Sequence, residues 1–444
     1  MIATRRQILQ TAAAAGSLPL VHLRTAGAAG RLRIGFIGSL VPDADEAMAR
    51  LVQRWAAQNK VEVQADFFSP TTSQAIMTWA AEAQARTGHD IVQGASSIVA
   101  TYAHLLAPAD DLVARLQARN GALDPSVAQV DTIEGRWIAA PTYKGSNLYP
   151  CLGRIDLFNR HVGLDLRRTF PAANDMGPGY DDWTWDAFLL AAERCHHAGV
   201  PFGLPISVCD DALGWLNPVF LAFGAALVDA EGHTTVDSDE TRAALDYLRR
   251  LAAYLPDSVY SWDNASNNRA LVAGGTALIF NQPSAWAQAI KDAPQVGSQC
   301  WHFPMPAGPK GRFASGNTHF WGIWSFSPNQ SAAGDLIEWL SQRPQAEEIC
   351  TADSGFDLPP FVSMTDFKVW TDAGPPVGTL SNYPVKSGHH ATLTPSLYPA
   401  PRPLALSIYN AGILPNLVAR VTKGRESADT AIAWARAELD GIRR

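Results

Sequence analysis

Arg31-Leu-Arg-Ile-Gly-Phe-Ile-Gly38 is a short apolar run closed by glycine, and it reads as a buried β-strand. The residues after it decide the fold. From Asp43 to Gln58, Met48, Leu51, Val52 and Trp55 recur at helical spacing. Val61 to Phe68 reads as a second strand and Thr71 to Arg86 as a second helix. Asp90-Ile91-Val92 is a short third strand running into Gly94-Ala95-Ser96-Ser97. Strands alternating with helices predict an α/β unit, a mostly parallel sheet with helices on both faces. Such sheets bind ligands outside the carboxyl ends of their strands. That rule puts Ser39 and Ser96 on loop tips facing a site, although both serines also suit helix caps.

Further along, Gly135 to Pro141 is a turn leading into a strand that stops at proline. Thr184 is placed to cap a helix beginning at Trp185, and helices are predicted over Asp239 to Ala253 and Ser284 to Lys291. Strand signals return at Ala277 to Phe280, Trp301 to Phe303 and Trp321 to Phe326. Helical patterns occupy Ser331 to Leu340 and Ser427 to the end. The tract from Gly374 to Pro403, rich in Pro, Gly and Ser, reads as a long ordered loop, because helical patterns resume after it. The length of 444 residues suits two or three domains.

At the other end of the chain, Thr4-Arg5-Arg6-Gln7-Ile8-Leu9 is a twin-arginine core with a moderately apolar stretch after it, reaching Leu23. Small residues at Ala26-Gly27-Ala28-Ala29 complete an export signal, predicted to be cleaved after Ala28. The implied compartment is the periplasm, reached by the Tat route, and the absence of a cysteine near the cleavage site gives no support for a lipid anchor. Removing Arg5, Arg6 and Arg24, with no acid, takes the formal net charge from −7 to −10. An acidic surface argues against nucleic acid and anionic membranes as partners. The five cysteines, Cys151, Cys195, Cys209, Cys300 and Cys350, are odd in number and lack C-x-x-C spacing. They predict neither a disulfide framework nor zinc, with one bridge left open.

Seven segments then fall in a telling order. They are Leu106 to Leu112; Glu134 to Pro141; Leu157 to Leu164 with Thr184-Trp185-Asp186; Ala222 to Gly232; Val236-Asp237-Ser238; Leu271 to Trp286; and Phe303 to Gly311. Their succession resembles the family 1 extracellular solute-binding proteins, the maltose-binding type, across nearly all of the mature chain. The resemblance implies a type II periplasmic-binding-protein fold: two α/β lobes joined by hinge crossings, with a ligand cleft between them. It places the crossings near Pro141, Cys300 and Ser354. Residues 31–140 with 301–350 then form the N-terminal lobe, and 141–300 with 351–444 the C-terminal lobe. It also implies a monomer that hands a small molecule to ABC permease subunits in the inner membrane, without a cofactor. The chain departs from the family pattern at Ser284 after Pro283, at Pro150-Cys151-Leu152-Gly153, and in the insert from Pro171 to Asp182.

Sugars offer ring hydroxyls and C–H faces, which binders meet with aromatic planes, amides and carboxylates. Among the 14 tryptophans, Trp286 and Trp321, with Tyr143, are the stacking candidates, while Trp55, Trp79, Trp185 and Trp339 sit at core-like helix positions. Asn281, Asn317, Asn147, Asp210 and Asp211 are the hydrogen-bonding candidates, and Lys144 would meet a charged group or lie in solvent. A saccharide or polyol is the expected ligand; a polyamine, an amino-acid derivative or a phosphorylated polyol are the alternatives. No G-x-S-x-G, H-E-x-x-H, S-x-x-K or P-loop pattern occurs, so no catalytic residue is assigned. His196-His197 and His389-His390 are adjacent pairs and not i, i+4 ligands, and no metal site is assigned. Adjacent carboxylates such as Asp181-Asp182 and Asp210-Asp211 leave a periplasmic glycosidase as the enzymatic alternative.

Overall fold

The structure is a computed structural model describing residues 30–443, apart from 71, 73, 96–100, 124–126, 128–131, 134, 144–146, 172–176, 318, 365, 373–391 and 396–399. The export-signal reading of residues 1–28 lies outside the described residues.

Strand β1 (Arg31–Ile37) buries Leu32, Ile34 and Phe36. Helix α1 (Pro42–Asn59) turns Met48, Leu51, Val52 and Trp55 onto the sheet, and it ends where Lys60 takes a left-handed φ of 56°. The alternation continues through β2 (Glu62–Phe68), α2 (Gln74–Ala85) and β3 (Ile91–Ala95), then α3 (Asp110–Asn120) and β4 (Ala140–Pro141). β1 pairs in parallel with β2, Arg31 opposite Glu62, and with β3, Ile34 opposite Ile91. Below this sheet His89 is buried between Glu82 (2.6 Å) and Asp66 (3.0 Å), which ties α2 to β2.

After Pro141 the chain passes into β5 (Asn147–Leu148) and β6 (Cys151–Arg154) and builds a second lobe. Its helices are α4 (Trp185–His197), α5 (Asp210–Phe223), α6 (Asp239–Ala252) and α7 (Ser266–Val272). Thr184 caps α4 as the sequence predicts, accepting from the Ala187 amide at 3.3 Å. β7 (Leu278–Phe280), α8 (Ser284–Asp292) and β8 (Cys300–Phe303) come next. β6 lies between β8 and β7 and is antiparallel to both, with Cys151 opposite Phe303 on one side and Phe280 on the other.

The chain returns through β9 (Gly311–Asn317) straight into β10 (His319–Ile323), with one residue between them. β10 inserts between β3 and β4, antiparallel to β3, to give the order β2-β1-β3-β10-β4. It runs against the parallel strands because it enters from the end at which they finish. Helices α9 (Gln330–Leu340) and α10 (Arg343–Ala352) complete the first lobe's outer layer. β9 also pairs with β5, Asn317 opposite Asn147, and in parallel with β11 (Thr392–Pro395). Three chain segments thus lie side by side at the crossing. Helices α11 (Arg402–Asn410), α12 (Ile413–Thr422) and α13 (Ala428–Ile442) close the second lobe.

Each lobe has its own apolar core, and these cores move two of the expected boundaries. The sequence reading puts residues from 301 onward in the first lobe. Trp301, Phe303, Met305 and Ala314 are instead buried with Phe158, Phe188 and Trp215 of the second. β8 is buried on all four residues, and only the second lobe's sheet offers it a partner strand. The second crossing therefore falls between Asn317 and His319, not near Cys300. The reading also gives residues from 351 to the second lobe. Leu358, Phe361, Met364, Phe367 and Trp370 are instead buried with Leu51, Leu116 and Leu336 of the first. The chain leaves that lobe only after Asp372, not near Ser354, and most of the expected loop from Gly374 to Pro403 lies outside the described residues.

All five cysteines are free thiols, and four of them are buried. Burial pushes Cys195 and Cys300 up to about 12, so neither is a thiolate at neutral pH.

Candidate functional site

The carboxyl ends of β1, β2 and β3 point at the second lobe, and a cavity of about 140 Å³ lies where they meet it. From the first lobe its wall is made by Ile37, Gly38 and Leu40 after β1, by Pro70 after β2, and by Ala95 at the end of β3. His319 at the start of β10 joins them, as do Phe356 and Asp357. The last two are presented by a tight turn in which Ser354 and Gly355 take φ values of 60° and 77°. A Cβ on Gly355 would lie 2.8 Å from Trp370, so this turn needs glycine for space as well as for conformation.

From the second lobe come Tyr149, Asp210 and Asp211 in the first turn of α5, Asn264, then Asn281 and Gln282 after β7, and Ser284 opening α8. A wider surface depression of about 1040 Å³ exists elsewhere, between the ends of α6, α12 and α13. It belongs to one lobe only. The smaller cavity is the one on which both lobes converge.

Asp211 is a strongly perturbed group of the wall. Burial pushes its carboxyl up to about 8; the hydrogen bond from Asn267 opposes this, and the neighbouring Asp210 adds to it. Asn267 Nδ2 donates to Asp211 Oδ2 at 2.7 Å and to the Phe280 carbonyl at 3.2 Å, and the Tyr149 hydroxyl also bonds the carboxyl. Behind it runs a buried amide network. Asn281 Nδ2 donates to Asn268 Oδ1, Asn268 Nδ2 to Ser284 Oγ at 3.3 Å, and Ser284 Oγ to Asn281 Oδ1 at 3.2 Å. Asn264 braces the helix terminus, taking the Asp211 amide at 3.3 Å and donating to Asp210 at 3.2 Å. Tyr409 of α11 also donates to Asp210. Polar groups this well connected hold a fixed pattern of donors and acceptors, as a specific site requires.

Of the residues singled out from sequence, Asn281, Asp210 and Asp211 line this cavity. The aromatic candidates do not. Trp286 is buried with Leu152, Leu271 and Ile279 in a separate apolar cluster. Trp321 is buried in the first lobe's core, its ring 6.3 Å from that of Tyr143 in an edge-on contact. Tyr143 is buried there as well. The expected stacking platform is therefore not formed by these three, because strand alternation turns Trp321 toward α3 and α9. Ser39 neither lines the cavity nor caps α1: its Oγ accepts from the Val41 amide at 3.0 Å in the turn before the helix, while its own amide donates to Asp45. Asn147 and Asn317 are register partners in the crossing ladder. Lys144 and Ser96 lie outside the described residues.

Sequence reasoning missed Tyr149, Asn264, Gln282, His319, Phe356 and Asp357 on the wall, and Asn267 and Asn268 behind it. The Ser354-Gly355 turn is the one local signal that marks Phe356 and Asp357. Among the described residues, one group could chelate a metal: Asp229, Glu231 and His233. It is not part of the cavity wall. Asp229 Oδ1 already accepts from the amides of Glu231 (3.1 Å) and His233 (2.7 Å).

Residues 50–375 match the family described as bacterial extracellular solute-binding protein. A probable ABC transporter-binding protein of Deinococcus radiodurans is 27% identical over 233 residues, 49% of this chain and 50% of that protein. The chain thus matches about half the length of that relative. Among solved structures, maltose-bound T. maritima MalE3 superposes with a TM-score of 0.74 at 18% identity, covering 93% of this chain and 99% of that one. A sugar transporter from Arthrobacter chlorophenolicus with bound laminaribiose gives 0.70 at 16% identity, covering 93% and 99%. The Thermus thermophilus maltotriose binding protein bound with maltotriose gives 0.69 at 15%, covering 93% and 100%. These likenesses establish the two-lobe fold.

Proposed function

The chain belongs to the bacterial extracellular solute-binding protein family, and from that premise we propose that it captures a small saccharide or polyol by closing its lobes over the cleft. The observation that carries the reading is the cavity walled by both lobes, in which buried amides and carboxylates converge. Amides and carboxylates between them give and take the hydrogen bonds that ring hydroxyls offer. Tyr149 and Phe356 are the aromatic residues on the wall and take the place sought for Trp286 and Trp321. Relatives of the same fold carry maltose, laminaribiose and maltotriose. A cavity of about 140 Å³ favours a ligand smaller than these, a single ring or a short polyol, since pockets for drug-sized ligands measure about 300–1,000 Å³.

In this reading the twin-arginine signal delivers the protein to the periplasm as a monomer, and the loaded, closed form docks on ABC permease subunits. Hinge closure about three side-by-side segments supplies the motion. A thermal-shift screen over monosaccharides and polyols tests it. The right ligand at a hundredfold excess over its dissociation constant should add about 2.7 kcal/mol of stability. If no member of such a screen stabilises the protein, or if a saccharide is instead hydrolysed with turnover, the reading fails.

A further inference from the structure

The wall carries three carboxylates, Asp210 and Asp211 from the second lobe and Asp357 from the first. Among the described lining residues there is no Lys or Arg, and His319 is the one basic side chain. Both Asp211 and Asp357 are buried. Closing the lobes on a neutral molecule would bring like charges together in a space from which water is excluded, which costs free energy unless a proton or a counter-charge enters with the ligand. The surroundings of Asp211 already favour its protonated form, as the rise to about 8 reflects.

An independent observation comes from Gln282. It lines the same cavity, is buried, and its Nε2 has no hydrogen-bond partner. A buried donor without an acceptor costs about 1–3 kcal/mol, so the site holds an unused donor that calls for an oxygen from the ligand. Acceptors for a cation and a donor for an oxygen therefore occupy one small cavity.

We propose that the ligand is an aminated saccharide or polyol, whose protonated amine is held between Asp211 and Asp357 while one of its oxygens accepts from Gln282. This rests on the reading of the cleft as the ligand site and narrows the ligand's chemistry. It sets phosphorylated polyols aside, because their charge has the same sign as the wall.

The test is calorimetry on the mature protein at neutral pH with matched pairs: glucosamine against glucose, and 1,4-diaminobutane against 1,4-butanediol. At least one amine should bind about tenfold or more tightly than its neutral counterpart, the scale of one close charge pair. Asp211→Asn, a near-isosteric change, should abolish that preference, and Asp357→Asn serves as the second variant should the first fail to fold. Gln282→Leu should weaken glucosamine more than 1,4-diaminobutane, which has no oxygen. No amine preferred over its counterpart, including no binding by either, overturns the proposal. A preference that survives in folded Asp211→Asn overturns it equally. If glucose binds and no amine is preferred, this inference falls while the solute-binding reading stands. Hydrolysis with turnover would bring down that reading instead.

Discussion

At the scale of single residues, Asp211 shows how the same burial that makes a site also strains the fold. Its carboxyl sits at about 8 in the folded protein against 3.8 in an unfolded chain. The folded value is the higher one, so the proton stabilises the native state in full below about pH 3.8, and that stabilisation is lost as pH rises through about 8. Asp211→Asn removes the charge and keeps the shape. The variant should therefore unfold close to the wild type at pH 4 and be more stable at pH 9. The expected gain is about 1–3 kcal/mol, the scale of relieving a buried, poorly solvated group. Urea unfolding curves at pH 4, 7 and 9 measure it. A difference that does not grow with pH would mean that Asp211 is solvated in the native state. Stability and affinity should thus part company at this one position, as strained functional residues lead one to expect.

At the scale of elements, β10 carries the clearest contrast between a core role and a site role. Trp321 is 2% exposed on a strand paired on both sides, Gln93 opposite it on β3 and Ala140 on β4. Trp286 is 4% exposed on α8. Replacing either indole by alanine should cost about 3–5 kcal/mol of stability and leave the affinity of the folded fraction unchanged. Paired unfolding curves and titrations decide the matter; a loss of affinity without a loss of stability would return either ring to the cleft. The elements themselves were largely legible in the sequence. The apolar periods of α1, β1 and β2 are local properties, and Thr184 announces its helix through a contact three residues away. Which side of β10 faces the cleft is not a local property. It depends on a strand arriving from the other lobe, and Trp321 reads the same in sequence whichever way it turns. The wall was legible only in part for a related reason. Asp211 and Asn281 lie beside motifs, whereas Tyr149 and Asp357, 208 residues apart in sequence, share the wall only because the chain crosses between the lobes.

For the whole molecule, the two cores and the crossing ladder predict a change of shape on binding. A fully compact chain of this length would have a radius of gyration of about 22 Å, and an open pair of lobes exceeds it. Saturation with a ligand that stabilises the protein should lower the radius measured by X-ray scattering toward that value. An unchanged radius at saturation would mean that the lobes do not move and that the cleft is a fixed pocket.

The close succession of β9 and β10 has a mechanical consequence. A strand anchored by hydrogen bonds in one lobe ends at Asn317, and two positions on, at His319, a strand anchored in the other begins. Such a join has no slack to let the halves slide or drift apart. It leaves them rotation about the crossing, much as a door pinned along one edge can swing but not travel. The shape of the cleft is then governed chiefly by one angle. Under the proposed function, any molecule admitted would be gauged by how far it lets that angle close, and a partner docking on the outer rim would need to read only that angle.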